Sequence, residues 1–231
     1  DQNYPIMIDE EGGNVSRLAD IFNNHAPQQF FGDIYKIDKK ISIKIYQLYI
    51  DRLTSYLKEL GININTVPVL DVARHYTNKI IGSRSFSSDK LIVKELGQEC
   101  LKRYKLNKMG TVIKHIPGHG ASMLDSHLVE SKVNIEYRNL AKIDFFPFTI
   151  KNSKFAMTAH IIYTRIDKKN VATFSKKIIS KIIRNKIGFK GILISDDISM
   201  KALKYDLITN AKKSLKAGCN LVLYCSGNYL E

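Results

Sequence analysis

The stretch TVIKHIPGHG, residues 111–120, contains the pattern that decides the fold. A short apolar run opens it, Lys114 and His115 follow, and a turn with one proline and two glycines closes it. An apolar run this short, bounded by turn residues, is typical of a strand buried on both faces of a parallel sheet. The polar side chains then stand at the carboxyl end of that strand.

Five other segments repeat this pattern of an apolar run ending in polar or charged residues. They are residues 5–8, 64–70, 155–158, 192–194 and 221–223. Amphipathic stretches at residues 41–60, 91–106 and 175–186 lie between them, with apolar positions at helical spacing. Alternation of strands and helices in one chain predicts a parallel α/β sheet.

The placing of the polar residues separates two parallel architectures. A (β/α)8 TIM barrel builds its site from the carboxyl ends of all its strands, as seen here. A doubly wound sheet confines the site to one switch point and often carries a glycine fingerprint, which this sequence lacks. We therefore predict an α/β fold of the (β/α)8 TIM barrel type, with residues 1–231 as a single domain. A barrel of eight strands usually takes about 250 residues, so six strands in 231 residues leave about two unaccounted for.

The charge of the chain is strongly basic, at +14 from 36 basic and 22 acidic side chains. Such a balance raises the question of nucleic-acid binding. The charge is spread, however, mostly as lysines that alternate with apolar residues, as on solvated helix faces, and no recognition motif accompanies them. We expect a soluble basic surface and no nucleic-acid partner.

Cysteine usage and hydropathy bear on location. Cys100, Cys219 and Cys225 show neither Cys-x-x-Cys spacing nor an even-numbered framework, which favours reduced thiols. No run approaches the roughly 18 apolar residues of a membrane span, and the first residues lack the features of a signal peptide. We expect a cytoplasmic protein without a membrane partner.

Asp125 and His127 form the first candidate for chemistry. Two residues apart in an extended segment, their side chains project to the same side. A carboxylate can then hold one imidazole nitrogen and leave the other to exchange protons near neutral pH. The spacing by itself is weak, but the turn at residues 114–120 lies just before it and favours a functional loop.

Asp196 and Asp197 form the second candidate, at the end of the apolar run 192–194. A carboxylate held at a strand end can act as nucleophile or base. Because neighbours on an extended backbone point to opposite sides, at most one faces the barrel centre. The other could cap a helix starting at Ile198.

Three further side chains could bind a polar substrate. Asp9 could accept from hydroxyl groups, and Arg17 and Arg84 could donate to them. A metal site is the main chemical alternative, because His115, His119 and His127 lie close in sequence. Pro117 and Gly118 interrupt the helical His-x-x-x-His arrangement, which disfavours it.

These segments, in this order, resemble glycoside hydrolase family 3, and most closely its single-domain bacterial β-N-acetylglucosaminidases (β-hexosaminidases). The similarity covers nearly the whole chain. The matching pieces are residues 8–13, 68–72, 82–86, 114–120, 125–127, 159–163, 194–200 and 217–220. Asn14, directly after the first piece, stands where the family often has an Arg, and Ser83, within the third piece, stands where it often has an acidic residue.

The resemblance implies a role for each matched residue. It implies that Asp196 is the catalytic nucleophile and that His127, with Asp125, is the acid/base. Five further residues match positions that hold the N-acetylglucosamine unit: Asp9, Arg17, Arg84, Lys114 and His115.

The resemblance also has implications for the whole protein. It implies no cofactor, and a muropeptide from bacterial peptidoglycan recycling as the substrate. It also implies two barrel strands ahead of the one ending in Asp9, so we expect the chain to be incomplete at its N-terminus. A metal-dependent hydrolase and a non-catalytic basic binding protein are the alternatives.

Overall fold

The computed structural model of the protein describes residues 4–22, 25–74, 81–122 and 130–227. Its main sheet has six strands, and all six coincide with apolar runs predicted from the sequence. Two short strands that the sequence did not indicate, β4 and β6, pair separately with each other. The strands are β1 Met7–Ile8, β2 Ile64–Asn65, β3 Gly110–Ile116, β4 Ser131–Val133, β5 Phe155–Thr158, β6 Ile161–Tyr163, β7 Ile192–Asp197 and β8 Leu221–Leu223.

The main sheet is entirely parallel and singly wound. Its order is β1-β2-β3-β5-β7-β8, so each strand pairs with the next main-sheet strand along the chain. The order never reverses, and the switch point of a doubly wound sheet is therefore absent from the described strands. The sheet curls into half of a barrel, which confirms the parallel α/β class. Within the described residues, β1 and β8 each have a neighbour on one side only.

In the described part of the chain, five α-helices and one π-helix connect the strands. The predicted helical stretches correspond to α2, α3 and the π-helix, whereas α1, α4 and α5 were not predicted. Among the described residues, no helix is both long and apolar enough to cross a bilayer. The helices are α1 Gln28–Ile37, α2 Lys39–Glu59, α3 Lys90–Leu106, α4 Tyr137–Lys142, the π-helix Ile178–Lys186 and α5 Leu207–Ala217.

Three of these helices begin at an aspartate that caps the first turn. Asp38 accepts a hydrogen bond from the Ile41 N–H before α2, and Asp89 accepts from the Leu91 N–H before α3. Asp206 caps α5 by accepting from the Thr209 N–H. A helix starting at Ile198 is therefore wrong, because the residues after β7 form turns and the helix begins nine residues later at Leu207.

The outer core lies between the sheet and the helices. α2 buries Tyr46, Ile50, Leu53 and Leu57, at the three- and four-residue spacing of one helix face. α3 contributes its own buried face to the same cluster, together with the outward-facing Ile113 and Leu193 of the sheet. This packing fixes the strands from behind and leaves their inner faces for a second, smaller cluster.

The inner cluster takes one layer of side chains from six strands. Val112, Met157 and Ile194 are buried in it, and partly buried residues of β1, β2, β5 and β8 pack against them. Those residues are Met7, Ile64, Phe155 and Leu223. A layer of this kind, contributed by successive strands, is how barrel interiors are filled.

Gly120 is a position where the fold requires the absence of a side chain. A Cβ there would lie 1.9 Å from the Val72 carbonyl oxygen, in a buried backbone contact. We expect Gly120→Ala to lower the free energy of unfolding by about 3 kcal/mol, at the upper end for overpacking because backbone must move. Urea denaturation measures this effect.

Gly61→Ala is the matched control for Gly120→Ala. Gly61 has φ +76 at the end of α2, and nothing lies within 4 Å of an added Cβ. Only the left-handed backbone opposes the substitution, at a cost of about 1–2 kcal/mol. Equal losses in the two variants would contradict the close contact at Gly120.

Candidate active site

Several site residues lie on the inner face of the sheet, two positions nearer the carboxyl ends of the strands than the inner apolar cluster. Side chains two positions apart on a strand share a face. Two residues beyond Met7, Ile64, Val112, Ile194 and Leu223 stand Asp9, Thr66, Lys114, Asp196 and Cys225. The alternation that packs the apolar layer therefore also directs the polar side chains to the carboxyl-end opening of the half-barrel.

Lys114 is at the centre of this group and is 3% exposed. Its Nζ donates to Asp9 Oδ1 at 2.8 Å and to Thr66 Oγ1 at 2.8 Å, and it contacts Glu11 Oε1 at 2.6 Å. An ammonium has three hydrogens, and these three acceptors use them. Burial opposes the charge, but the carboxylates of Glu11 and Asp9 raise the pKa of Lys114 above its usual value.

Glu11 joins Lys114 to Arg84. The Arg84 guanidinium donates Nε to Glu11 Oε2 and Nη2 to Glu11 Oε1, both at 2.8 Å, in a bidentate pair. The Glu11 side chain is 1% exposed. Burial raises its pKa, but the charges of Lys114 and Arg84 outweigh this and lower the pKa to about 2. Glu11 is thus the acidic partner of Arg84. Arg84 is held by this pair although Ser83, the residue before it, carries no charge.

Asp9 and Arg17 line the more exposed side of the group. The Asp9 carboxyl is 29% exposed; burial opposes its charge, but Lys114, Thr66 and Arg17 hold its pKa well below the usual range. Arg17 is exposed, and its loop is held by Glu10, whose buried carboxylate accepts from the N–H groups of Arg17 (2.7 Å) and Leu18 (3.1 Å). Both residues can therefore reach a ligand at the opening.

His115 is positioned by Asp71, which is fully buried at the end of the segment after β2. His115 Nδ1 lies 2.7 Å from Asp71 Oδ2, and the His115 N–H donates to the same oxygen at 3.2 Å. The His119 N–H donates to Asp71 Oδ1 at 2.5 Å. Burial opposes the charge of Asp71, but the neighbouring His115 and His119 hold its pKa below the usual value.

Asp196 lies at the end of β7 and faces the same group. Burial alone would raise its pKa, but His115, His160 and Lys114 and the Asp197 N–H together lower it. The Asp197 N–H donates to Asp196 Oδ1 at 2.9 Å. The carboxylate is therefore ionised at neutral pH, which is the state that a nucleophile requires.

Asp197 points away from this group and connects two loops. Its Oδ1 accepts from the N–H groups of Ser199 (3.0 Å) and Cys225 (3.2 Å), and its Oδ2 accepts from Ser199 Oγ at 2.6 Å. We expected at most one Asp of the pair to face the centre, and Asp196 is the one that lies near His115, His160 and Lys114. The Asp197 carboxylate thus stabilises the turns after β7 and β8.

Four residues of the site had no role in the sequence interpretation, and they include Thr66, which accepts from Lys114. Glu11 and Asp71 were part of matching segments, and their full burial is a property of the folded chain. Cys225 is exposed after β8; partial burial and the charges of Asp197, Asp9 and Asp196 raise its pKa to about 11. Cys225 follows the apolar run 221–223, so the pattern that identified the other strand-end residues could also have identified it.

Asp125 and His127, predicted as the acid/base dyad, lie outside the described residues. The other six predicted residues lie together at the carboxyl ends of the strands; they are Asp9, Arg17, Arg84, Lys114, His115 and Asp196. Among the described residues, no three metal-binding side chains converge. His119 is buried, which lowers the pKa of its ring to about 4, and its ring packs edge-on against His115 at 5.5 Å. The alternative with His115, His119 and His127 stays untested, because His127 is not described.

The fold and the site together define a class of protein: a singly wound parallel α/β chain with a charged site at the carboxyl ends of its strands. A family model described as the glycosyl hydrolase family 3 N-terminal domain matches residues 3–231. The chain therefore belongs to glycosyl hydrolase family 3.

Relatives of known name agree with this assignment. A β-hexosaminidase from Nitrosomonas eutropha is 35% identical over 226 residues, covering 96% of this chain and 64% of the relative. NagZ from Neisseria gonorrhoeae, solved with N-trifluoroacetyl-D-glucosamine, is 31% identical with a TM-score of 0.88, covering 96% of this chain and 65% of that one. A β-N-acetylglucosaminidase from Paenibacillus sp. is 28% identical with a TM-score of 0.86, covering 95% and 42%. The chain thus spans under two thirds of these relatives.

Proposed function

We propose that this chain forms the larger part of the catalytic domain of a retaining β-N-acetylglucosaminidase. The observation that carries the proposal is the convergence of Asp196 with Asp9, Arg84, Lys114 and His115 at the carboxyl ends of the strands. The names of the relatives support the reaction and the sugar. The substrate is a carbohydrate with a terminal β-linked N-acetylglucosamine. Its natural form is a muropeptide derived from peptidoglycan, which the enzyme hydrolyses in the bacterial cytoplasm.

The proposed domain is a complete (β/α)8 barrel. Six strands of one winding direction and edges at β1 and β8 support two further strands between those edges. Parallel strands in such a barrel are covered on both faces and leave no edge.

The mechanism has two steps. Asp196 attacks the anomeric carbon while His127 gives a proton to the leaving oxygen, so the glycosidic bond breaks as a glycosyl ester with Asp196 forms. Water then attacks the anomeric carbon, His127 takes its proton, and Asp196 leaves. Net retention follows from two inversions, and the usual apparatus is a pair of carboxylates. Here the Asp125–His127 pair takes the acid/base role.

Hydrolysis of an aryl β-N-acetylglucosaminide by the full-length protein tests this function. We expect turnover, insensitivity to a chelator such as EDTA, and the β-anomer as the first sugar product in a time course followed by proton NMR. Absence of turnover would remove the proposal. Loss of activity on chelation would favour a metal-dependent hydrolase, and salt-sensitive nucleic-acid binding without turnover would favour a basic binding protein.

The role of His127 predicts a dependence on the leaving group. Positioned proton transfer typically contributes about 10²–10⁴-fold to a rate, so His127→Ala should lose roughly that with an alkyl or sugar leaving group. An activated aryl group departs with little protonation, and the first step should then suffer much less. Steady-state and pre-steady-state kinetics on both substrates measure the difference, and equal losses would contradict His127 as the acid.

A further inference from the structure

The Asp71 carboxylate contacts the turn that carries His115 through three polar groups. Its carboxylate is fully buried and accepts from the His115 N–H, the His119 N–H and His115 Nδ1. An ionised carboxylate only accepts hydrogen bonds. At 2.7 Å from Asp71 Oδ2, His115 Nδ1 must therefore carry a hydrogen.

The other ring nitrogen of His115 faces a cation. His115 Nε2 lies 3.5 Å from Arg84 Nη2, and a guanidinium only donates. The guanidinium plane is fixed by its bidentate pair with Glu11. A hydrogen on Nε2 would point at the N–H groups of Arg84, so the arrangement favours a lone pair there.

We infer that Asp71 is a positioning residue that holds His115 in the Nδ1–H tautomer, so that His115 Nε2 is an acceptor beside the donor Arg84 in the sugar site. The inference rests on the proposed function and deepens it. A single sugar hydroxyl at this point accepts a hydrogen bond from Arg84 and donates its own hydrogen to His115.

This pairing makes the site selective for a hydroxyl group. Fluorine can accept weakly from Arg84 but cannot donate to His115, and hydrogen can do neither. A site built to bond a hydroxyl rejects the analogue without it, because a buried polar group is left unpaired. Asp71 thus sets the specificity of a contact that it does not itself make.

The tautomer is measured directly by ¹⁵N NMR of the protein labelled at its histidines. The His115 signals are assigned by their loss in His115→Gln. We expect a protonated Nδ1 and an unprotonated Nε2 in the wild type. A hydrogen on Nε2, or on both nitrogens, would overturn the inference. The NMR measurement is made on the wild type, so it requires neither catalytic turnover nor a folded Asp71 variant.

Asp71→Asn reverses the polarity at His115. The carboxamide oxygen at the Oδ1 position keeps an acceptor for the His119 N–H and, at 3.4 Å, for the His115 N–H. The NH₂ group then stands as a donor opposite Nδ1, so the hydrogen moves from Nδ1 to Nε2. The same change in serine proteases is known to give the wrong histidine tautomer. We expect kcat/KM for the N-acetylglucosaminide to fall roughly 10- to 100-fold, the size of one buried polar group left unpaired.

The selectivity is tested with aryl N-acetylglucosaminides carrying fluorine in place of the 3-, 4- or 6-hydroxyl group. For one of the three, the wild type should discriminate against fluorine by roughly 10- to 100-fold. In Asp71→Asn that preference should shrink towards one, because Nε2–H can donate to fluorine. Unchanged discrimination in the variant would contradict the inference.

Asp144→Asn is the matched control. Asp144 is also a fully buried carboxylate; it pairs with Arg74, and its backbone and Cβ lie within 3.0 Å of a Cβ placed on Gly118 of the same turn. Its described contacts do not include His115. We expect Asp144→Asn to keep both the tautomer and the discrimination. If it altered them as Asp71→Asn does, support of the turn alone would explain both. A wild type without turnover, but with the expected tautomer, would instead remove the proposed function.

Discussion

Replacing Asp196 with alanine should abolish turnover of an aryl β-N-acetylglucosaminide. We expect kcat to fall roughly 10⁴- to 10⁶-fold, the range found when a member of a catalytic unit is removed. The reason is that Asp196 is the carboxylate that lies beside the other charged side chains at the strand ends, with its pKa below the usual value. Without it no glycosyl ester can form. Azide, which is a small external nucleophile, should restore part of the rate and give a product of inverted configuration.

Asp197→Asn separates the two members of the Asp pair. Asp197 is next in sequence, but its carboxylate contacts Ser199 and the Cys225 N–H. We expect this variant to lose far less activity than Asp196→Ala and to gain nothing from azide. The reverse order of the two variants would mean that the assignment of the nucleophile is wrong.

Glu11→Gln should give the largest loss of stability among single substitutions in the site. It leaves Lys114 and Arg84 buried without their shared carboxylate, and the side chains of these cations are only 3% and 12% exposed. Breaking a buried ion pair by removing one partner costs about 3–5 kcal/mol. Urea denaturation at neutral pH measures the loss. Asp33→Asn is the control, because it removes an ion pair with Lys36 in which both side chains are half exposed. We expect it to lower the free energy of unfolding by about 1 kcal/mol or less.

Acid titration gives a second measurement on Glu11. Its pKa is about 2 in the folded protein, below the usual value of 4.5. A lowered pKa contributes stability that is present above 4.5 and lost as the pH falls towards 2. The difference in unfolding free energy between wild type and Glu11→Gln should therefore shrink over this range. A constant difference would indicate that packing, rather than charge, is lost.

Much of the fold could be predicted because the strands are short, apolar and regularly spaced. Period-two alternation sends Val112 inward and Ile113 outward, and by the same rule Lys114 faces inward. Helices such as α2 follow from their apolar spacing and from the Asp38 cap. α1 was missed because its signal is weak: Pro27 precedes it without a side-chain cap, and it is only ten residues long.

The site was predictable only in part, for a related reason. The sequence shows which residues follow a strand, and hence Asp9, Lys114 and Asp196. It does not show which side chains are buried together or how they share hydrogen bonds. The bidentate contact of Glu11 with Arg84 joins residues 73 positions apart, and Asp71 meets His115 across 44.

The amino-acid sequence by itself thus determined the strand pattern, the family resemblance and the set of residues at the strand ends. These depend on local alternation and on the order of motifs, which a single chain displays directly. Only the tertiary structure decided that Lys114 is fully engaged, that Asp196 rather than Asp197 faces inward, and that His115 is held by Asp71. Those outcomes depend on burial and on distances between remote segments, because the state of a charge is set by the groups that surround it after folding.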